Sequence, residues 1–301
     1  MTDQPENPFP TTPLESNRAA LAEMLSQTEL YRTSQEYLDL LAFIARMGHF
    51  SPFNALLLRI QKPGLVWAAS AYHWATRFER KVKPGSRPLL ILWPFAPVAL
   101  VYDLEDTEGP ELPIAVAQIF RATGTVTEKR MKKWIGLLSG RGFSVDFRDW
   151  GPGRAGQVTR KLPDQGTEGK VSYNILINRD HDPNVQFASL AHELGHVFLG
   201  HLGKDNDRFI TDAHFLPLPR RELEAESVSY LVCRRWGVDS RADTYLVDYT
   251  QPGTDVTRVD LDRITRAAGQ VEAALNIGAK TVFRPVERKK KGIMLIGLEK
   301  E

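Results

Sequence analysis

The 301-residue chain reads as an α+β protein of two domains, and three observations carry that reading. Helical stretches, with apolar residues three and four apart, occur together with short β-like apolar runs. A length of 301 residues with 42% hydrophobic content is enough to bury a substantial core and to divide in two. The acidic, turn-rich stretch 103–113 lies where one domain would end. The expected division is therefore 15–125 and 126–280, between a proline-rich segment, 1–14, and a basic tail, 281–301.

The elements follow in order. Pro5, Pro8, Pro10 and Pro13 stand among polar neighbours, so residues 1–14 are expected to be disordered. Apolar spacing predicts helices over 14–30, 36–47 and 54–60. A strand pair, 89–93 and 98–102, follows the basic turn around Pro84 and Gly85. In the second half, 127–138 is helical and 143–147 a strand, while 151–156 and 164–169 are loops able to border a cleft. The run 171–178 is a strand. Asp182-Pro183 then reads as an N-cap with proline in the first turn of a helix that Gly200 or Gly203 ends. Pro219 introduces another helix, closed by Gly237, and 258–276 is the last. The run 284–291 is basic and is read as a solvated tail.

Within the Asp182 helix lies His192-Glu193-Leu194-Gly195-His196, an HExxH sequence. Residues four apart on a helix project about 40° apart, so both imidazoles can face one metal ion. Phe187, Leu190, Ala191, Leu194, Val197 and Phe198 form the buried face, with the histidines at its edge. Zinc, preferred from ligand type, acidifies a water molecule, and Glu193 is placed to take the proton and return it to a leaving group.

A third ligand is required. Leu199 and Leu202 stand where a metzincin would carry glycine and a third histidine, which excludes that class. The Pro219 helix offers Glu222 and Glu226, one turn apart on one face, while Glu224 points away from both. Helical geometry lets either of the pair bind metal while the other holds a histidine from behind. Glu222 is taken as ligand and Glu226 as support. His214, in a loop before Pro217, is the outside candidate. His201 is expected to point away as a surface residue, and His181 to border the substrate or solvent. Tyr230 is a candidate oxyanion donor.

The run 190–201, followed by Glu222-Leu223-Glu224-Ala225-Glu226, resembles the ImmA/IrrE-type metallopeptidases and the C-terminal domain of ArdC-like antirestriction proteins. That resemblance implies a zincin-like fold in which a helix carrying a glutamate ligand follows the HExxH helix, and it assigns the ligand role to Glu222. Glu226 stands where the family usually has asparagine or aspartate.

The first half has its own signature. From Arg46 to Leu100 there are eight basic residues, Arg46, Arg59, Lys62, Arg77, Arg80, Lys81, Lys83 and Arg87, against one acid, Glu79. The local charge of +7 contrasts with +2 for the whole chain, an electrostatic footprint for a polyanion. Trp67, Tyr72, His73, Trp74 and Phe78 are interleaved with those charges, and unpaired bases stack on such rings. Residues 50–58, Gln61-Lys62-Pro63, Trp74 and Val82-Lys83-Pro84-Gly85-Ser86 are similar to the single-stranded-DNA-binding domain of ArdC-like proteins, with Phe50 where that family has tyrosine. The expected contacts are Arg59, Lys62, Trp74, Arg77, Arg80, Lys81, Lys83 and Arg87.

No stretch approaches the ~20 apolar residues of a membrane span, and no signal peptide opens the sequence, so a cytoplasmic protein is expected. The one cysteine, Cys233, falls on the apolar part of the glutamate helix and reads as a small buried side chain. Together these features predict a one-zinc metallopeptidase joined to a module for single-stranded DNA, acting on a protein substrate that the sequence leaves open. The resemblance also allows a DNA-shielding antirestriction protein with a structural zinc, or a regulator that cleaves a DNA-bound repressor.

Overall fold

Thr33 opens the described chain with a capping box, its hydroxyl accepting from Glu36 N at 3.2 Å while Glu36 Oε2 accepts from Thr33 N at 3.1 Å. The computed structural model describes residues 33–93, 96–112, 126–150, 154–163, 170–238, 256 and 259–279. The expected disorder at 1–14, the helix at 14–30 and the basic tail lie outside those residues, as does the loop at 164–169.

The described residues form a mixed α+β structure with seven helices and three small sheets. Helices α1 (Ser34–Arg46) and α2 (Pro52–Gln61) come first, then β1 (Ala68–Ala69) and α3 (Ala71–Arg77). Strands β2 (Lys81–Val82), β3 (Leu89–Trp93), β4 (Ala96–Asp103) and β5 (Thr107–Glu108) complete the first half. Helix α4 (Glu128–Ser139) leads into β6 (Phe143–Arg148), β7 (Gly156–Lys161) and β8 (Ser172–Asn178). Helices α5 (Pro183–Phe198), α6 (Leu218–Trp236) and α7 (Leu261–Ala274) finish the order.

Serine caps begin the two short helices of the first half, Ser51 before α2 and Ser70 before α3. Strand β4 lies between β1 and β3. The outer edge of β3 is covered from α2. Asn54 accepts from Leu92 N at 2.9 Å and donates to Leu92 O at 3.0 Å, and Gln61 does the same for Leu90 at 2.8 and 2.7 Å. Two side-chain amides thus replace a neighbouring strand, which protects an edge that would otherwise offer unpaired backbone groups.

In the second half the sheet order is β6-β8-β7, with β6 parallel and β7 antiparallel to β8. Strand β7 is an element that the sequence pattern does not announce. It pairs along its whole length with β8, from Gly156 opposite Ile177 to Lys161 opposite Ser172. Val158 is its one large apolar residue, so the alternation that marks a strand is missing and the pairing alone defines it.

Behind this sheet α5 packs on α6, and α6 in turn packs on α1 and α7. Gly195 sets the α5–α6 approach: a Cβ there would lie 3.3 Å from Val228 Cβ and Cγ1. Ser229 Oγ donates to Ala188 O at 3.0 Å across the same contact. One apolar cluster runs from Tyr37 of α1 to Leu275 after α7, so packing crosses the position of the expected boundary at 125/126. Arg235 joins α1 and the loop after it to α7. Its guanidinium donates to Glu272 Oε1 at 2.6 Å, to Ile44 O at 3.1 Å, to Met47 O at 3.3 Å and to Phe50 O at 2.5 Å. A buried cation thereby satisfies the last carbonyls of α1, the end where a helix favours positive charge. Cys233, as expected, is fully buried.

Candidate metal centre

Asp182 caps α5 by accepting from Asn184 N and Val185 N, and Pro183 sits in the first turn. The helix buries Phe187, Leu190, Ala191, Leu194 and Val197, which leaves His192 and His196 half-buried at its edge. Helix α6 runs past this edge, closed by Gly237 in the left-handed conformation, φ +72°. The Gly195 crossing brings its carboxylates to the histidines.

His192, His196 and Glu222 place one donor atom each within 4.8 Å of one another. His192 Nε2 lies 3.0 Å from His196 Nε2, and Glu222 Oε2 lies 3.4 and 3.6 Å from those two nitrogens. Bonds of about 2.1 Å in tetrahedral coordination require donors about 3.4 Å apart, so this triangle has the dimensions of one face of a zinc site.

Behind the triangle, Glu226 Oε1 lies 3.1 Å from His192 Nδ1, close enough for charge attraction but out of line for a hydrogen bond. The carboxylates also raise the basicity of the ring. Burial opposes protonation of His192, but Glu222 and Glu226 beside it push its pKa up to about 10. Burial and the neighbouring His192 push His196 down to about 4 against the pull of Glu222. The nearby His192 and His196 rings hold Glu222 well below the usual carboxylate range, against the effect of burial.

Glu193 faces the sheet rather than the triangle's rear. It is buried against Gly156, the first residue of β7, where a Cβ would meet its Oε1 at 2.7 Å and its Cγ at 3.0 Å. Burial pushes its carboxyl up to about 7, with Glu222 and Glu226 adding to the shift and His192 and Arg154 opposing it. A carboxyl that titrates near neutrality can both take and give a proton.

The sequence places two further histidines, His201 at the surface and His214 as the outside candidate for the third ligand. His201 is not at the surface: it is 3% exposed, with Nδ1 2.9 Å from His196 Nδ1 and Nε2 3.2 Å from Glu224 Oε2. Helical phase does not apply to it, because α5 has ended. Gly200, at φ +78°, turns the chain back, and a Cβ there would lie 1.9 Å from Thr211 O. The turn is a Schellman motif, with His201 N bonded to His196 O and Gly200 N to Val197 O. A glycine at that position was the available signal that the next residue folds onto the helix's last turn. His214 is the second case. It is largely exposed and bonded to Asp212 at 2.6 Å, away from the cluster. Glu224 points away from Glu222 and Glu226 as expected, and it is fully buried.

His181 is half-buried, 3.4 Å from Asn178 Nδ2. Tyr230 is buried, with the Arg234 guanidinium over its ring at 5.9 Å.

The expected nucleic-acid contacts divide into two sets. Trp74 is fully buried and donates to Tyr102 O at 2.9 Å, so it has no face for a base. Arg80 is buried too. Its guanidinium donates to Thr107 Oγ1 at 2.8 Å, Thr107 O at 2.9 Å and Gly109 O at 2.9 Å, and also to Pro110 O. Both are corrections to the sequence reading, and both have one cause: β4 and β5 return across α3 and β2 and enclose them. Lys62 is held by Asp103 at 2.6 Å and by Glu105 and Asp106 at 3.4 Å, and Arg59 bonds Pro63 O beside the Phe43 ring. Lys83 reaches Glu105 O at 2.8 Å but remains exposed. Arg77, Lys81 and Arg87 are exposed as well. From Arg46 to Leu112 the balance is eight basic against six acidic residues, because the folded turn carries its own counter-charges. Among the described residues no helix is long and apolar enough to cross a membrane.

Comparison with known proteins gave one family model and one solved structure. No curated protein matches the chain. Among solved structures, the metal-free antirestriction protein ArdC from plasmid R388 is similar at 18% identity over 74% of this chain and 82% of that one, with a TM-score of 0.36. Residues 154–234 match the profile of the Peptidase_M78 family, described as an IrrE N-terminal-like domain. The match begins at Arg154, beside Glu193, and takes in β7, β8, α5 and most of α6, hence every residue of the triangle. Residues 154–234 are thus similar to the IrrE N-terminal-like domain family.

Proposed function

We propose that the protein is a zinc-dependent peptidase with His192, His196 and Glu222 as ligands and Glu193 as the proton carrier. The observation that carries this reading is the convergence of two imidazole nitrogens and one carboxylate at zinc-site spacing, with a second, buried carboxyl beside them. Zinc, when bound, supplies Lewis acidity to a carbonyl and to water. The chain supplies the rest. Glu226 adds negative charge beside His192, and Gly156 leaves the space that Glu193 occupies. Glu193 then takes a proton from the attacking water and passes it to the departing amine. Structural zinc takes four protein ligands and needs no base, whereas this cluster has three among the described residues and keeps a base beside it.

Single-stranded DNA is the proposed partner of the first half, through Arg77, Lys81, Lys83 and Arg87, whose side chains are exposed. Arg59 and Lys62 are already engaged, and Trp74 and Arg80 belong to the interior.

The deciding comparison is the wild type against Glu193→Gln, with zinc content and cleavage of a fluorogenic peptide library measured together. Zinc retained and cleavage lost is the expected result. Equal cleavage by both would overturn the peptidase reading, and a wild type that takes up no zinc would overturn the metal centre.

A further inference from the structure

His201, which follows the HExxH helix, is the point of departure. Glu226 lies 3.1 Å from Nδ1 of His192, but among the described residues the hydrogen-bond partner of His196 Nδ1 is His201, at 2.9 Å. His201 in turn has Glu224 at 3.2 Å, and Glu224 has Arg220 Nε at 3.0 Å. His201 and Glu224 are buried, and α6 supplies both Glu224 and Arg220 from the turn that carries Glu222.

Each bond in this chain has one consistent direction. Arg220 donates to Glu224 Oε1. Glu224, an ionised acceptor, requires a proton on His201 Nε2, which leaves Nδ1 of the neutral ring as an acceptor. His196 must then donate from Nδ1, and its Nε2 carries a lone pair towards His192 Nε2 and Glu222 Oε2.

We infer that His201 is a positioning residue: held by Glu224 and Arg220, it fixes His196 as the Nδ1–H tautomer with Nε2 presented to a metal. The inference rests on the zinc reading for its purpose but not for its geometry. The Schellman turn at Gly200 builds the contact, because it returns the residue after the glycine to the third-last residue of the helix. In that motif the returning contact is commonly hydrophobic; here it is imidazole to imidazole, with ring centroids 5.1 Å apart. A merely packed ring would not need Glu224 behind it.

The test has two parts. In metal-free wild-type protein, ¹⁵N NMR of the histidine rings should show His196 as the Nδ1–H tautomer; an Nε2–H tautomer overturns the inference. Zinc affinity is then compared by chelator competition in the wild type, His201→Leu and His201→Gln, with the circular dichroism of each metal-free protein as the folding control. Leucine removes the acceptor and should weaken zinc binding about 10–100-fold. Glutamine can accept from His196 and donate to Glu224, and it should restore most of the affinity. Wild-type affinity in His201→Leu, or equal losses in both variants, would overturn it. Should leucine prevent folding, the glutamine variant and the wild-type tautomer still decide. A wild type that binds no zinc but shows the Nδ1–H tautomer would remove the peptidase reading and leave the positioning chain standing.

Discussion

Gly156 and Glu193 touch across the junction of β7 and α5, with no room between them for a methyl group: a Cβ on the glycine would lie 2.7 Å from Glu193 Oε1 and 3.3 Å from its Cδ. The carboxyl is buried, so a methyl group at 156 displaces it within a packed environment. Gly156→Ala should therefore shift Glu193 and leave the His192–His196–Glu222 triangle intact. Cleavage of a peptide library should fall about 10–100-fold, the scale of an ångström-level misplacement, with zinc stoichiometry unchanged. Full activity would show that the position of Glu193 does not matter to turnover.

Arg235 should be a stability residue with no direct part in the chemistry. Arg235→Met strands the buried carboxylate of Glu272 and uncaps α1. The expected loss is about 3–5 kcal/mol, measured by urea unfolding of the metal-free protein. The double variant with Glu272→Gln should recover part of the loss, since the two side chains form one network.

His49 predicts a pH dependence away from the metal centre. Burial, aided by Arg235 and His73 and opposed by its bond to Ala68 O, pushes its pKa down from 6.5 to about 4. Above pH 6.5 the ring is neutral in both folded and unfolded states and contributes nothing to the dependence. Between pH 6.5 and 4 the unfolded chain takes the proton and the fold does not, so stability falls with falling pH, by about 3 kcal/mol in all. His49→Gln keeps a donor for Ala68 O, and its stability should fall less over that window. Parallel curves for the two proteins would contradict the assignment.

For the first half, the exposed and the internal cations should behave differently. Arg77→Ala and Lys81→Ala should each lower the salt slope of single-stranded oligonucleotide binding by about 0.7, the loss of one phosphate contact, and leave the melting temperature unchanged. Arg80→Met should lower the melting temperature, because four acceptors around Thr107, Gly109 and Pro110 lose their donor. A flat salt response in the wild type would remove the DNA reading.

The helices of the candidate metal centre were legible because local chemistry marks them. Asp182-Pro183 starts α5, Gly237 ends α6, and apolar spacing shows which face is buried, so helical phase pairs His192 with His196 and Glu222 with Glu226, while the choice of Glu222 over Glu226 came from the family resemblance. Strand β7 was not legible, since a strand with one large apolar residue exists only through its partner β8. Trp74 and Arg80 were misjudged for a related reason. Their environment comes from β4 and β5, some thirty residues further on, and no window around α3 contains Thr107 or Tyr102. His201 was misjudged because helical phase was carried past Gly200, where the helix stops.

The Arg235 clamp has a consequence for the order in which the chain can assemble. The carbonyls it holds, at Ile44, Met47 and Phe50, are made about 185 residues before it, and Glu272 comes 37 residues after. The buried hydroxyl contact of Tyr37 with Ser227, at 2.7 Å, spans a similar interval. During synthesis α1 can pack on α2 at once, but its contacts with α6 wait until residues 218–236 have been made. Growth from the ribosome would leave that part of its apolar face a substrate for chaperones until α6 has emerged, and the docking of α1 on α6 would be among the last steps of folding.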